Sequence, residues 1–236
     1  MTSRLLCSPC AIAALAALGL AFAPASHAKP PVEAFSDLPT VRAAQISPDG
    51  KHVVYINRNH GVDYLAMYDF ATGQNDPLIR LDQFKARGLS FAGNNFVVLM
   101  TSELTDSHGE TARYESTEAF SYNLTTRKVA HLLASAPVYR FQSGLGRIAG
   151  VDPDGKSVYM PAFVGMCHYQ PDNGRSCTTD NPTYDLLKVD LDTGRSLGTV
   201  HKGSGYTQNW ILNRDGEVVA REDFNENSKE HQIFAY

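Results

Sequence analysis

Gly194-Arg195-Ser196-Leu197-Gly198 is the stretch of this 236-residue chain that reads most readily as catalytic. Gly-x-Ser-x-Gly serves a nucleophile when the serine stands on a strained turn between a strand and a helix, beside backbone N–H groups that hold an oxyanion. Here Gly194 closes an Asp-Thr-Gly turn and a short strand follows. No strand–helix–strand succession surrounds it, and only about 40 residues remain to supply an acid and a base. Ser196 is therefore read as a turn residue, and no catalytic residue is assigned.

The acidic motifs point the same way. Asp190-x-Asp192-x-Gly194 and Asp152-x-Asp154-Gly155 look like the beginnings of calcium loops, but no acidic residue follows at the distance an EF-hand needs. Turn chemistry accounts for both, because Asp side chains hydrogen-bond to the backbone two residues on. The eight histidines show no H-E-x-x-H or paired spacing, so no metal ligand and no cofactor is expected. Asn123-Leu124-Thr125 is a glycosylation sequon standing where a turn is needed. Glu222-Asp223 is an acidic pair in a strand-like segment, read as a solvated rim.

Those turns belong to a repeat. Ile46-Ser47-Pro48-Asp49-Gly50, Leu89-Ser90-Phe91-Ala92-Gly93, Val151-Asp152-Pro153-Asp154-Gly155 and Leu212-Asn213-Arg214-Asp215-Gly216 each lead into an apolar strand. In Pro-Asp-Gly, Pro fixes φ early in the turn, Asp bonds back to the backbone and Gly supplies positive φ. A second half follows: Leu65–Gly73 lines up with Leu186–Gly194, and Ala119–Arg127 is a degenerate copy. Closing strands are expected at Pro77–Leu81, Val129–Leu133 and Ser196–Val200. The turn glycines are 43, 62 and 61 residues apart, against about 40–45 for a bare four-stranded blade. The excess is expected as polar insertions at Asp106–Glu118 and Phe163–Tyr184.

Four-stranded units repeated in this way predict an all-β chain, a β-propeller of about four blades. The blades are expected at about 44–82, 88–134, 147–201 and 208–236, in a partial propeller domain of 44–236. No helical period of ten or more residues appears after the first 28, although Pro31–Leu38 suits a short helix. Ile233-Phe234-Ala235-Tyr236 aligns with Leu65-Ala66-Met67-Tyr68. The last blade is thus expected to be incomplete, and the chain to be the front part of a longer protein or an incomplete gene product.

Composition narrows the partners. Twenty-one Lys+Arg against 25 Asp+Glu gives a net charge of −4, so no basic field is available for nucleic acid. With 43% hydrophobic and 19% charged residues the chain is of globular type. Residues 1–28 read as a signal peptide. Arg4 precedes an almost wholly apolar Leu5–Ala23, and Ser26-His27-Ala28 offers a small-residue cleavage site. Pro9 and Pro24 argue against a membrane anchor, so no membrane association is expected after cleavage, and the protein is expected in the periplasm or outside the cell. Cys7 and Cys10 leave with the signal. The remaining Cys167 and Cys177 flank a turn-rich Asp172-Asn173-Gly174-Arg175. In an oxidising compartment they are read as a disulfide rather than a metal site, since only His168 is adjacent.

The export signal, the lead-in segment of 29–43 with its Pro31-Val32-Glu33-Ala34-Phe35-Ser36-Asp37-Leu38-Pro39, and the blade from Ile46-Ser47-Pro48-Asp49-Gly50 to Tyr68-Asp69-Phe70-Ala71-Thr72-Gly73 occur together. In this the chain resembles the beginning of bacterial secreted peptidases of the prolyl oligopeptidase family, including dipeptidyl and acylaminoacyl peptidase-like members. The resemblance covers about residues 30–236. It implies a propeller that gates access of short peptide substrates to a C-terminal α/β-hydrolase domain carrying Ser, Asp and His, a serine-peptidase activity outside this chain. It also gives Glu222-Asp223 a conceivable task, since some dipeptidyl peptidases hold a substrate amino terminus with paired acids. The Ser-Pro-Asp-Gly opening is shared with periplasmic TolB-type propellers, and the alternative is a protein-binding module of that type.

Overall fold

The computed structural model describes residues 35, 39–81, 85–106, 113–139, 142–165, 167–170, 174–177 and 182–236, without the side chains of 105–106, 113–114, 167–170 and 174–177. The chain divides into two units, residues 1–38 and 39–236, and the second holds every described strand. The expected signal segment lies outside the described residues, as does the short helix expected over Pro31–Leu38 apart from Phe35.

Strands pair in chain order, because each tight turn returns the chain beside the strand it has just left. The first sheet comprises β1 (Val41–Ile46), β2 (His52–Asn59), β3 (Val62–Asp69) and β4 (Asn75–Arg80). The second comprises β5 (Lys85–Ala92), β6 (Phe96–Asp106), β7 (Arg113–Asn123) and β8 (Val129–His131). In the third, β9 (Gly150–Val151) and β10 (Ser157–Val164) are followed by a separate hairpin, β11 (Cys167–Gln170) with β12 (Gly174–Cys177). The sheet then resumes with β13 (Thr183–Asp190) and β14 (Ser196–His201). The fourth holds β15 (Thr207–Leu212), β16 (Val218–Asn225) and β17 (Glu230–Ala235). Every pairing within the sheets is antiparallel.

The repeated turns work as their residues dictate. Gly50, Gly155 and Gly216 donate their N–H groups to the carbonyls of Ser47, Asp152 and Asn213, at 2.9, 2.8 and 3.2 Å. At the second turn the carboxamide or carboxylate of a single residue collects the free amides. Asp69 Oδ1 accepts from the amides of Ala71 and Thr72 at 2.7 and 3.0 Å. Asn123 Oδ1 accepts from those of Thr125 and Thr126 at 3.0 and 2.9 Å, and Asp190 Oδ1 from that of Thr193 at 2.7 Å. This is the side-chain-to-backbone chemistry that makes Asp and Asn turn residues.

Three cores lie between successive sheets. Val54, Ile56 and Leu65 of the first sheet meet Leu89, Val97 and Leu99 of the second. Phe96 and Val98, pointing the other way from β6, meet Val158, Met160, Leu187 and Val189 of the third. Tyr159 and Leu186 meet Trp210 and Val218 of the fourth. Strands of the inner sheets therefore bury both faces, and β10 is buried over six consecutive residues. Burying one large apolar side chain is worth about 1.5–3 kcal/mol, so each seam is held chiefly by this packing. The outward faces of the end sheets differ: Ile46 is 63% and Ile233 72% exposed.

The first strands β1 and β5 pack on one another. Consecutive four-stranded antiparallel meanders stacked face to face are propeller blades. The described blades form an open series rather than a closed ring, and the fourth has three described strands. One expectation changes. The sequence of Asp106–Glu118 suggests a polar insertion, yet β6 and β7 pair over eleven residues from Phe96↔Asn123 to Asp106↔Arg113. Only residues 107–112 of that stretch lie outside the described strands. Its alternation of Thr, Tyr and Ser with charged residues is a two-stranded extension rather than a loop. Among the described residues, no helix is long and apolar enough to cross a membrane.

Candidate functional site

The two ends of the blades differ in kind. The turn end carries the Gly50-type and Gly73-type turns, and these are locked across the seams. Asn94 Oδ1 accepts from the Asp49 amide at 3.1 Å, joining the first two blades. Ser121 Oγ donates to the Leu191 carbonyl, and Asn123 Nδ2 donates to Asp192 Oδ1 at 2.8 Å. The Leu133 amide donates to the Gly194 carbonyl at 2.8 Å. A residue inserted here would break a seam. At the opposite end the second and third strands of each blade are joined by connections of very different length. These are His60-Gly61 in the first blade, residues 107–112 in the second, the stretch holding β11 and β12 in the third, and Glu226–Lys229 in the fourth. Length variation on a rigid scaffold is where binding surfaces are built, and this hairpin end is the candidate functional surface.

Charged clusters stand along it. Asp63, at the start of β3, is paired with Arg42 and lies 3.7 Å from Arg58 Nε, while Arg42 Nη1 also donates to the Ala86 carbonyl at 3.0 Å. Glu115 of β7 is paired with Arg87, accepts from Ser102 Oγ at 2.8 Å and lies 3.0 Å from Lys85 Nζ. Hydrogen bonds from Arg87, Ser102 and Lys85 hold its carboxyl down at about 2. Asp185 is 3% exposed and accepts from the Gly203 amide at 3.0 Å. Asp223 of β16 accepts from Ser204 Oγ and Thr207 Oγ1, each at 2.8 Å, and from Arg221 Nε at 2.9 Å. Arg221 in turn lies over the Phe234 ring at 4.3 Å. Each acid is thus committed to local cations, hydroxyls or amides, an arrangement that shapes a rim and holds it rigid.

Several residues singled out by sequence are placed directly. Ser196 is the first residue of β14, opposite Val189, and its Oγ accepts from the Gly198 amide at 3.2 Å. It borders a cavity of about 540 Å³ whose described lining includes Ser135, Pro137, Val164, Leu187 and Arg195, with no histidine or carboxylate. Asp190 and Asp192 go to the Thr193 amide and to Asn123. Asp154 takes the Lys156 amide at 2.7 Å. Asp152 accepts from Tyr159 Oη at 2.7 Å and is paired with Lys188. Burial pushes its carboxyl up, but Lys188 and Tyr159 outweigh that and hold it at about 2. Asn123 is 6% exposed with its amide group spent on Asp192, which removes the sequon from the surface. Among the described residues no group of three or more His, Cys, Asp or Glu is placed to hold a metal ion.

The acidic pair needs correction. Neighbours on a strand point to opposite faces, and here Asp223 is 7% exposed in its network while Glu222 lies 3.4 Å from His231 on the other face. The two acids share no solvated rim and cannot grip one amine together. Cys167 stands directly opposite Cys177 in the β11–β12 register; both side chains lie outside the described residues. Sequence reading missed the Asp223 network, whose local trace is only Arg221-x-Asp223, and the Asp152–Tyr159–Lys188 cluster, which spans 36 residues.

The fold is a partial β-propeller built of successive blades. No family model matches the chain, and no curated protein matches it. Similar solved structures include TolB from Acinetobacter baumannii, at 16% identity over 83% of this chain and 43% of that one, TM-score 0.43. The β-propeller domain of the Trilobed protease from Pyrococcus furiosus is 10% identical over 84% of this chain and 54% of that one, TM-score 0.46. An acylaminoacyl peptidase from Pyrococcus horikoshii is 11% identical over 84% and 31%, TM-score 0.49. The chain spans only 31% to 54% of the length of these structures. At such identities they carry no function across.

Proposed function

We propose that this chain is the non-catalytic gating propeller of an exported serine peptidase of the prolyl oligopeptidase type, whose nucleophile resides in an accompanying α/β-hydrolase domain. The observation that carries this is the asymmetry of the blades. The connections between the second and third strands, of very different length, and the inserted hairpin sit at one end, while the other end carries the repeated turns and their seam bonds. A substrate-access surface needs that arrangement: connections of variable length around the entry and a rigid set of blades behind them. The blade-opening and lead-in motifs that resemble this family support the reading, as does the engagement of every carboxylate described above in local pairing. Labelling the natural exporting cells with a fluorophosphonate probe tests it. The polypeptide that yields the peptides of residues 41–236 is expected to carry the label, at a serine outside those residues. An unlabelled polypeptide that co-purifies with other envelope proteins would instead establish the second reading, a TolB-type protein-binding propeller, which the Ser47-Pro48-Asp49-Gly50 opening favours.

Export also assigns the two cysteines. Directly opposed residues of an antiparallel pair have Cα atoms about 4.5–5.5 Å apart, within the span a disulfide bridges. In the exported protein, Cys167 and Cys177 are expected to be bridged, closing the β11–β12 hairpin. Thiol labelling of the denatured, unreduced protein should find neither cysteine reactive. Two labelled thiols per chain would count against the bridge.

A further inference from the structure

A second cavity lies beside β5. The segment Ser143–Ile148, which leads into the third blade, runs past the β5–β6 face and leaves a cavity of about 360 Å³ between them. Its floor is apolar: Val98, Met100 and Ile148 line it, on the face of the β5–β6 sheet away from Leu89. Its polar groups are the hydroxyl-bearing Ser90 and Ser143, with Arg147 exposed at the side. Arg42, Arg87, Arg127 and Arg221 each hold a carboxylate. Among the described residues, the Arg147 guanidinium has no such partner. The amides of Gly144, Leu145 and Gly146 likewise donate to no other described residue, although Leu145 is 1% exposed. An unpaired cation and unspent backbone donors beside an apolar recess are complementary to one kind of ligand: a carboxylate bearing a compact apolar group.

We infer that the Ser143–Ile148 cavity binds a small carboxylate through Arg147 while its aliphatic group fills the recess over Val98 and Met100. The anion places its charge at the guanidinium, and about four to six carbon atoms replace water against the β5–β6 face. Such a carboxylate has two sources, the C-terminal residue of a peptide and a free aliphatic acid. The site does not depend on the peptidase reading, since it is built entirely from described residues of this chain.

Titration of the full chain with N-acetyl-L-leucine, followed by calorimetry and by methyl NMR, tests it. Saturable binding is expected, with shifts at the methyl groups of Val98 and Met100. N-acetyl-L-leucinamide, which lacks the charge, should bind about 10–100-fold more weakly, as should Arg147→Gln toward the acid, the size of a lost charged hydrogen bond. Gly88→Leu should abolish binding by filling the recess. A Cβ at Gly88 meets nothing nearer than Met100 Cε at 3.9 Å, so the fold has room for it. Comparison with 4-methylpentanoate separates the sources: tighter binding of N-acetyl-L-leucine assigns a peptide terminus, and equal or tighter binding of 4-methylpentanoate a free acid. Absence of saturable binding, or affinity unchanged in Arg147→Gln, overturns the inference. Because Arg147 is exposed, that variant reads the site even if Gly88→Leu fails to fold.

Discussion

Gly194→Ala is expected to destabilise the chain by about 2–5 kcal/mol and to loosen the seam between the second and third blades. Two costs combine. Gly194 has a φ of +71°, in the left-handed region where a Cβ costs about 1–2 kcal/mol. That Cβ would also lie 2.2 Å from the carbonyl oxygen of His131 and 2.8 Å from its carbonyl carbon, an overpacking that costs about 1–3 kcal/mol. The backbone cannot yield freely, because the Gly194 carbonyl accepts from the Leu133 amide. Denaturant unfolding of wild type and variant measures the difference, and amide exchange should show faster exchange at Leu133 and in β14. The result bears on function as well. Gly194 is the first glycine of Gly-x-Ser-x-Gly, and its requirement is explained by a blade seam. A Gly194→Ala chain as stable as wild type would contradict that explanation.

Asp223→Ala should cost about 3–5 kcal/mol, the range for removing one partner of a buried ion pair. Ser204, Thr207 and Arg221 all lose their acceptor, and Arg221 is left as an uncompensated cation beside Phe234 and Trp210. Trp210 Nε1 donates to the Tyr184 carbonyl at 3.1 Å, so loosening this cluster weakens the seam of the third and fourth blades. Glu222→Ala, which removes only an exposed contact to His231, should stay within about 0.5 kcal/mol of wild type. Equal effects of the two substitutions would refute the assignment of the neighbouring acids to opposite faces. Urea unfolding of the two variants side by side decides it.

The repeat was legible because turn chemistry is local. Aligning Ile233-Phe234-Ala235 with Leu65-Ala66-Met67 from sequence matches the pairing observed, since Ala235 faces Ala220 and Met67 faces Val54, each four residues past its turn glycine. Likewise Ser196 and Asn75 both head a fourth strand, opposite Val189 and Tyr68. What the sequence hid is contact between blades. Leu132, Leu133, Val138 and Leu145 are each 1% exposed or less in a connection with almost no strand. Their burial has no period, because the neighbouring sheets impose it rather than an alternation of their own. The Asp223 network was hidden for the same reason: Ser204 and Thr207 lie 19 and 16 residues away and come close only when β15 and β16 pair. Arg147 carries no local mark at all, and its setting arises from β5 and β6 more than 40 residues earlier.

The proposed gating role requires that this chain hold no nucleophile of its own. The full chain, incubated with proline- and alanine-type dipeptide chromogenic substrates, tests it most directly, with Ser196→Ala run in parallel. The account predicts no cleavage above buffer by either protein and equal stability of the two. Cleavage by the wild-type chain that Ser196→Ala abolishes would contradict it.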